Sequence, residues 1–319
     1  MPENITRDIQ VLIVGSLLPS LQQAVEARYN ATRYWELKDP RAWLAANGAS
    51  VRAVVTTGAW GASTELLNKL PNLEGIFSFG VGYDTIAVDL ARDRGIVVTN
   101  TPNVLDDCVA DTALALILDS LRRFSESERY VRAGKWRDAR FPLASKVGGK
   151  KLGIVGLGNI GQAIAQRAQA FGMQIGYHNR KPKPECAYQY YADLDAMLQA
   201  CDVIVLAVPG GKATDGLIDA RRLALLGKNG HLINIARGSV VDQPALISAL
   251  RNGVIAGAGL DVFDAEPDVP QSLLALDNVV LFPHLGSGTH ETRQAMGDLV
   301  WDNLQGWFVN GRQVVTPVA

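Results

Sequence analysis

The sequence predicts an α/β protein with two doubly wound parallel sheets, and three observations carry that reading. Short apolar runs of strand length recur along the chain and alternate with helical patterns. They form two series, separated by a long helical pattern over 103–124 and a polar stretch after it. The second series opens on a strand that runs directly into "GLGNIG" (156–161) and a further helix. Strands alternating with helices need right-handed crossovers, and crossovers of that kind make parallel sheets.

In the first series the strand candidates are "VLIVG" (11–15), "TRYWE" (32–36), "VRAVVTT" (51–57), "GIFSFG" (75–80) and "GIVVTN" (95–100). "STELLNKL" (63–70) reads as a helix, with Ser63 as cap and Leu66, Leu67 and Leu70 on one face. "AGKWRDARFP" (133–142) reads as a loop or arm. The second series offers "KLGIV" (151–155), "QIGYH" (174–178), "VIVLAV" (203–208), "HLINIA" (231–236), "AGAGLDV" (256–262) and "VVLFP" (279–283), with a helix over 242–253. A last helical pattern, 289–311, finds no strand to join in the second series and reads as a crossover back to the first. The expected domains are therefore 1–101 with 289–319, discontinuous, and 102–288.

Composition narrows the class. The chain has 319 residues, 48% hydrophobic and 20% charged, which suits a soluble globular protein. A net charge of −1 gives no basic excess for nucleic acid. Cys108, Cys186 and Cys201 are odd in number and widely spaced, so free thiols in a reducing compartment are expected, with no disulfide framework and no metal site. "MPENITRDIQ" lacks a signal-peptide core, and no apolar run is long enough to span a membrane, so a cytoplasmic location is expected.

"GLGNIG" places Gly156, Gly158 and Gly161 at the G-x-G-x-x-G spacing, with Asn159 and Ile160 between them. The first glycine allows a tight turn, the second lets backbone approach a pyrophosphate, and the third lets helix and strand pack closely. The helix N-terminus turns unpaired N–H groups and a positive dipole end toward the phosphates. Ile160, Ile164, Ala168 and Phe171 are expected on one stripe of the helix that follows. A packing-only glycine turn is the alternative, and the strand–turn–helix context favours a dinucleotide. An acid usually follows the second strand of such a unit and binds the adenosine ribose. Here "HNRK" puts Asn179, Arg180 and Lys181 at that place. An uncharged residue and two cations suit a 2′-phosphate, so NADP(H) is expected, with NAD(H) weaker. His178 either stacks on the adenine or closes the strand.

Three segments lie where second-series strands end: "NIARGSVVD" with Arg237, "GLDVFDAEP" with Asp261 and Glu266, and "LFPHLGSGTHET" with His284. Ligands of open α/β sheets bind beyond the carboxyl ends of strands. Singly, each residue has an ordinary reading: a surface ion pair, a turn residue, a strand-end histidine. Together they suit reduction of a 2-keto acid, which needs a forked donor for the carboxylate and an acid of near-neutral pKa for the carbonyl oxygen.

At this point the chain resembles the D-isomer-specific 2-hydroxyacid dehydrogenases over essentially its whole length. The runs that carry the likeness are "FGVGYDTI", "VADTALALIL", "KLGIVGLGNIGQAIAQRAQAFGM", "INIARGSVVDQPALISAL", "GAGLDVFDAEP" and "NVVLFPHLGSGT". "PHLGSGTHETRQAM" and "TPV" favour the glyoxylate/hydroxypyruvate reductases and their hydroxyphenylpyruvate reductase-like branch. The resemblance implies a Rossmann-like cofactor domain and a flavodoxin-like substrate domain. It implies that Arg237 holds the substrate carboxylate, that His284 is the proton donor in reduction, and that Glu266 pairs with His284 and favours its protonated form. The backbone N–H groups of Val81 and Gly82 would also reach the carboxylate. Asp261 would lie near the nicotinamide, with Val208, Pro209, Ile235, Ala236, His284 and Gly286 completing the cofactor-side residues. A homodimer packing through the cofactor domain and the stretch around 103–145 is implied as well. Ala87, and Gly210 with Gly211, depart from common family patterns; the glycines lie in the cofactor-lining loop. A short form is expected, without the regulatory domain of the long phosphoglycerate dehydrogenases. The expected activity is hydride transfer from NADPH to glyoxylate or hydroxypyruvate, giving a D-2-hydroxy acid. Phenylpyruvate-type or 2-ketogluconate reduction and a non-catalytic dinucleotide-sensing corepressor are the alternatives.

Overall fold

The computed structural model describes residues 6–318; the first five residues of the N-terminal stretch and Ala319 lie outside them. The chain divides into two units, Met1–Leu105 with Thr289–Ala319, and Asp106–Gly288. The sequence reading set the first break at 101.

The first unit holds β1 (Gln10–Val14), β2 (Asn30–Arg33), β3 (Val51–Thr57), β4 (Gly75–Phe79) and β5 (Val97–Thr99). Their order is β2-β1-β3-β4-β5, and every pairing is parallel. The second unit holds β6 (Lys151–Val155), β7 (Gln174–His178), β8 (Gln189–Tyr190), β9 (Val203–Leu206), β10 (His231–Asn234), β11 (Gly257–Leu260) and β12 (Val279–Leu281). Their order is β12-β11-β10-β9-β6-β7-β8, again all parallel. In each sheet the order reverses once, between β1 and β3 and between β6 and β9. Both sheets are thus doubly wound, as expected. The central strands β1, β4, β9, β10 and β11 are buried along their whole length, which is why they read as continuous apolar runs.

The structure corrects four local readings. The strand expected at 32–36 occupies Asn30–Arg33 instead, and Tyr34–Glu36 forms a 3-10 turn. It is an edge strand with one neighbour, and Arg33 is anchored to Glu26 through Nε–Oε1 at 2.6 Å. The helix expected over 103–124 is Asp106–Arg122, and a second helix, Phe124–Arg132, follows it in the stretch read as polar, with Arg123 between them at φ 56°. The buried Asp119 makes the break. Its carboxylate accepts Ser125 N (2.8 Å) and the Ser125 hydroxyl, and its carbonyl accepts Arg123 N (2.6 Å). The short β8 was not foreseen. Phe171 lies past the end of the helix Asn159–Ala170 and is half exposed, off the stripe that buries Ile164 and Ala168.

The helix His290–Phe308 belongs to the first unit and packs on β4 and on the helix Pro19–Arg28. Thr289 caps it by accepting Thr292 N (3.2 Å), and Phe308 meets Tyr29 and Phe77 at ring centroids 6.2 and 6.3 Å apart. Ser63 caps the helix Thr64–Asn68 in the same way, as expected. Among the described residues no helix is long and apolar enough to cross a membrane.

The helix Asp106–Arg122 joins β10 through a buried polar contact. Ser120 Oγ lies 2.8 Å from His231 Nδ1. Burial, helped by Lys150 and opposed by Asp202, holds the His231 pKa down at about 4. The unfolded chain therefore takes up this proton first as pH falls, and folding stability drops between roughly pH 6.5 and 4. Denaturant titrations at pH 7.5 and 5 should show that loss. His231→Gln should reduce the difference between the two pH values, and an unchanged difference would contradict the burial argument.

Candidate active site

The glycine turn follows β6 at the carboxyl edge of the second sheet. Gly156 has φ +97°, and a Cβ there would run into the Ala207 carbonyl and crowd Val208. A Cβ on Gly161 would strike the Gly156 carbonyl, so this glycine lets the helix lie against the turn. A Cβ on Gly158 would meet nothing within 4 Å, and Gly158 gives the helix no side-chain cap. The first turn of that helix keeps an open approach to its N–H groups, which fits a pyrophosphate.

Asn179 follows β7 and has a role the sequence did not reveal. Its Oδ1 accepts Leu157 N at 2.7 Å, clamping the glycine turn to the end of β7. Gly156 N donates to the His178 carbonyl (3.0 Å), and Tyr190 Oη donates to the Asn179 carbonyl (3.2 Å). His178 closes its strand: its Nδ1 lies 2.9 Å from the Tyr191 carbonyl. Arg180 and Lys181 come next and are exposed. Asn159, in the turn, hydrogen-bonds Asp106; burial and Asp107 raise the Asp106 pKa. Val208 and Pro209 follow β9, and Ile235 and Ala236 follow β10, on the same edge.

The next strand ends bring the candidate residues together. Asn234, the last residue of β10, is buried, and sequence reasoning passed over it. Its Oδ1 accepts Ala236 N (3.0 Å) and its Nδ2 donates to the Arg237 carbonyl (2.8 Å). Its own carbonyl accepts Asp261 N (2.9 Å). The signal was present: a lone amide inside an apolar strand needs partners. Gly238 comes next, and a Cβ there would collide with the backbone of Phe263 and Asp264. The turn carrying Arg237 therefore lies directly on the turn carrying Glu266.

Glu266 Oε2 meets His284 Nδ1 at 2.7 Å, and Glu266 Oε1 accepts Phe263 N at 2.9 Å. Burial would raise the Glu266 pKa. The His284 hydrogen bond, the Phe263 N–H, and the charges of His284 and Arg237 outweigh it, and the carboxyl is lowered overall. It stays ionised beside the imidazole and leaves Nε2 as the outward nitrogen. His284 sits at φ 53°, a left-handed conformation costing a side-chain-bearing residue roughly 1–3 kcal/mol. Asp261 holds it there. The Asp261 carbonyl accepts His284 N (3.0 Å), and the carboxylate accepts Leu285 N (2.5 Å) and Gly286 N (2.8 Å). Only 2% of Asp261 is exposed, and burial raises its pKa against those two bonds. The structure thus brings Arg237, Glu266, His284, Asp261 and Gly286 together.

In the first unit, the loop after β4 carries Val81 and Gly82. Thr101 N donates to the Gly80 carbonyl (3.0 Å), and Asn100 Nδ2 donates to the Val81 carbonyl (2.9 Å). A trans peptide points its N–H opposite its carbonyl, so the Val81 and Gly82 N–H groups face away from Asn100 and Thr101. A cavity of about 390 Å³ opens at the other end of the second sheet, beside Ser120, His231, Asp277 and Asn278, and contains none of these residues. Among the described residues no group of three or more His, Cys, Asp or Glu is placed to hold a metal, and the three cysteines are free.

Comparison with known proteins agrees with this geometry. Residues 114–286 match the model of the D-isomer specific 2-hydroxyacid dehydrogenase NAD-binding domain. The chain is 46% identical over 310 residues to a glyoxylate/hydroxypyruvate reductase of Arabidopsis thaliana, covering 97% of this chain and 99% of that one. It is equally 46% identical over 310 residues to a hydroxyphenylpyruvate reductase of Plectranthus scutellarioides, with the same coverage. A crystal structure of an NADPH-dependent glyoxylate/hydroxypyruvate reductase from Sinorhizobium meliloti, in complex with NADP and malonate, superposes with a TM-score of 0.91. It is 42% identical and covers 98% of this chain and 97% of its own. A glycine turn, an arginine and a hydrogen-bonded Glu–His pair along one sheet edge, in a chain matched over nearly its full length, have one explanation: the chain belongs to the D-isomer-specific 2-hydroxyacid dehydrogenase family.

Proposed function

We propose that this protein reduces small 2-keto acids, with glyoxylate and hydroxypyruvate favoured, to D-2-hydroxy acids, using NADPH in preference to NADH. The carrying observation is the Glu266–His284 pair beside Arg237 on the edge that also bears the glycine turn. The open N-terminus at Gly158 and the glycine contacts fit a dinucleotide, which would be held by 156–161, by Arg180 and Lys181, and by Val208, Pro209, Ile235, Ala236, Asp261 and Gly286. When bound, the nicotinamide supplies the hydride. Arg237 offers a planar fork to the substrate carboxylate, which orients the keto group. The Val81 and Gly82 N–H groups are the further carboxylate donors in this reading. His284, held through Nδ1 by Glu266, presents Nε2 and delivers the proton to the carbonyl oxygen as it gains charge. A turnover assay with NADPH over a panel of glyoxylate, hydroxypyruvate, 4-hydroxyphenylpyruvate and 2-ketogluconate tests the assignment. No turnover on any of them would favour a dinucleotide-sensing role.

A cytoplasmic homodimer without nucleic-acid partners completes the reading. Phe124, Val131, Trp136 and Leu143 leave large apolar surfaces exposed within the stretch 124–143, which supports a partner subunit on that side of the cofactor unit.

Cofactor choice is expected to rest on Arg180. Arg180→Ala should weaken NADPH by roughly ten- to a hundredfold, the scale of a charge-assisted contact, while NADH changes little. Steady-state kinetics with both cofactors measures this, and an equal loss for both would sink the proposed preference.

Proton delivery is expected to depend on Glu266. Its carboxylate holds the His284 ring through Nδ1 at 2.7 Å. Glu266→Gln replaces that charge-assisted bond with a weaker neutral one, so kcat/KM should fall by roughly 1–2 kcal/mol in transition-state stabilisation. Steady-state kinetics with NADPH and glyoxylate checks it, and wild-type kcat/KM in Glu266→Gln would refute the role of the pairing.

Arg237→Lys keeps the charge and loses the fork. A misplaced carboxylate also misaligns the carbonyl, so kcat/KM should fall by roughly 2–4 kcal/mol in transition-state stabilisation. NADPH binding, followed by fluorescence, should stay near wild type. An Arg237→Lys enzyme with normal kcat and KM would remove Arg237 from the site.

A further inference from the structure

The Val81–Gly82 loop hangs on a chain of hydrogen bonds that ends far along the sequence, in the segment "QVVTPV" (313–318). Asn303, on the helix His290–Phe308, is fully buried and uses all its hydrogen-bonding capacity. Its Nδ2 donates to the Leu299 carbonyl and to Thr316 Oγ1, both at 2.8 Å. Its Oδ1 accepts Val315 N (2.7 Å) and Thr316 N (3.1 Å). Thr316 passes the constraint on. Its hydroxyl accepts from Asn303 and donates to the Asn100 carbonyl at 2.7 Å, and its carbonyl accepts Asn100 N at 3.4 Å. The Asn100 backbone is therefore gripped on both sides by one residue. From there Asn100 Nδ2 reaches the Val81 carbonyl, while Thr101 Oγ1 accepts Gly80 N at 3.1 Å.

We propose that Thr316 and Asn303 are positioning residues for substrate binding: through Asn100 they set the plane of the Val81–Gly82 peptide and so aim the Gly82 N–H at the substrate carboxylate. This rests on the reading of Val81 and Gly82 as carboxylate donors. The physical link is the rigidity of the peptide. Its carbonyl and N–H are fixed back to back, so a carbonyl released from Asn100 tips the N–H with it. Hydrogen bonds weaken steeply with angle, so a modest tilt costs affinity for the anion.

The test is Thr316→Val, close in shape but without the hydroxyl. KM for glyoxylate and the Kd of oxamate for the NADPH complex should both rise roughly three- to tenfold, the worth of one hydrogen bond. kcat and the Kd of NADPH should stay within about twofold of wild type. Thr316→Ser restores the hydroxyl and should return KM and the oxamate Kd close to wild type. A purely structural role would lower Tm and the active fraction, reducing kcat with KM unchanged, and would overturn the proposal. A Thr316→Val enzyme with unchanged KM and oxamate Kd would overturn it as well. Gly82→Pro, which deletes the amide proton, separates the two layers. If it weakens oxamate while Thr316→Val does not, the relay alone is wrong. If it leaves oxamate binding intact, the carboxylate reading of the loop is wrong and the relay falls with it.

Discussion

A parallel sheet ends in backbone groups that its own ladder no longer pairs, and Asp261 settles that problem for the edge that carries the candidate active site. It is the first residue past β11, nearly fully buried, and its three oxygens take three successive N–H groups, those of His284, Leu285 and Gly286. A left-handed histidine between a proline and a leucine would not persist by local preference. It persists because three hydrogen bonds over-determine it, each worth about 1 kcal/mol or more. Burial works against this arrangement by raising the Asp261 pKa, and the two amide bonds work for it. The backbone that carries the His284 imidazole is thus fixed by Asp261, while the ring itself is held by Glu266 through Nδ1.

The neighbouring strand end repeats the device in a neutral form. Asn234 takes the Ala236 N–H and gives a proton to the Arg237 carbonyl, so the arginine leaves the sheet in one direction. Gly238 then allows backbone to lie on backbone at Phe263, with no side chain between. These contacts bring the Arg237 charge close enough to Glu266 to help lower its carboxyl. In the first unit, Asn100 and Thr101 occupy the corresponding place after β5 and hold the Gly80 and Val81 carbonyls. In both units, a small polar residue at a strand end orders a loop at the end of its own or a neighbouring strand.

What the sequence disclosed follows from that design. The buried central strands were legible because burial on both faces leaves continuous apolar runs. The edge strands β2 and β8 were misplaced or missed, since one neighbour and partial exposure leave no such run. Glycine spacing was legible, and so was the grouping of Arg237, Glu266 and His284, because all three sit just past strand ends on one sheet edge. Asn100, Asn303 and Thr316 were not, because single asparagines and threonines near element ends or on a helix are ordinary residues there, and Asn234 was passed over although its place in an apolar strand called for partners. Their partners lie up to 216 positions away, and only the fold supplies them. The helix Phe124–Arg132 was missed because its partly exposed, charge-rich residues present no buried stripe.

Asn179 joins the two kinds of residue. Position 179 must accept the Leu157 N–H, or the glycine turn loses its tie to β7. An aspartate would make that bond too, and would bring a negative charge to the place where a 2′-phosphate is proposed to sit. Two charges about 4 Å apart repel by roughly 1 kcal/mol even in bulk water and by several times that near a protein surface. Asparagine keeps the acceptor and removes the charge. An amide at this position therefore leaves the turn intact, and in the proposed reading the discrimination falls to Arg180 and Lys181, which are exposed. Turn geometry and proposed cofactor preference are thereby separated between adjacent residues, so that one changes without cost to the other.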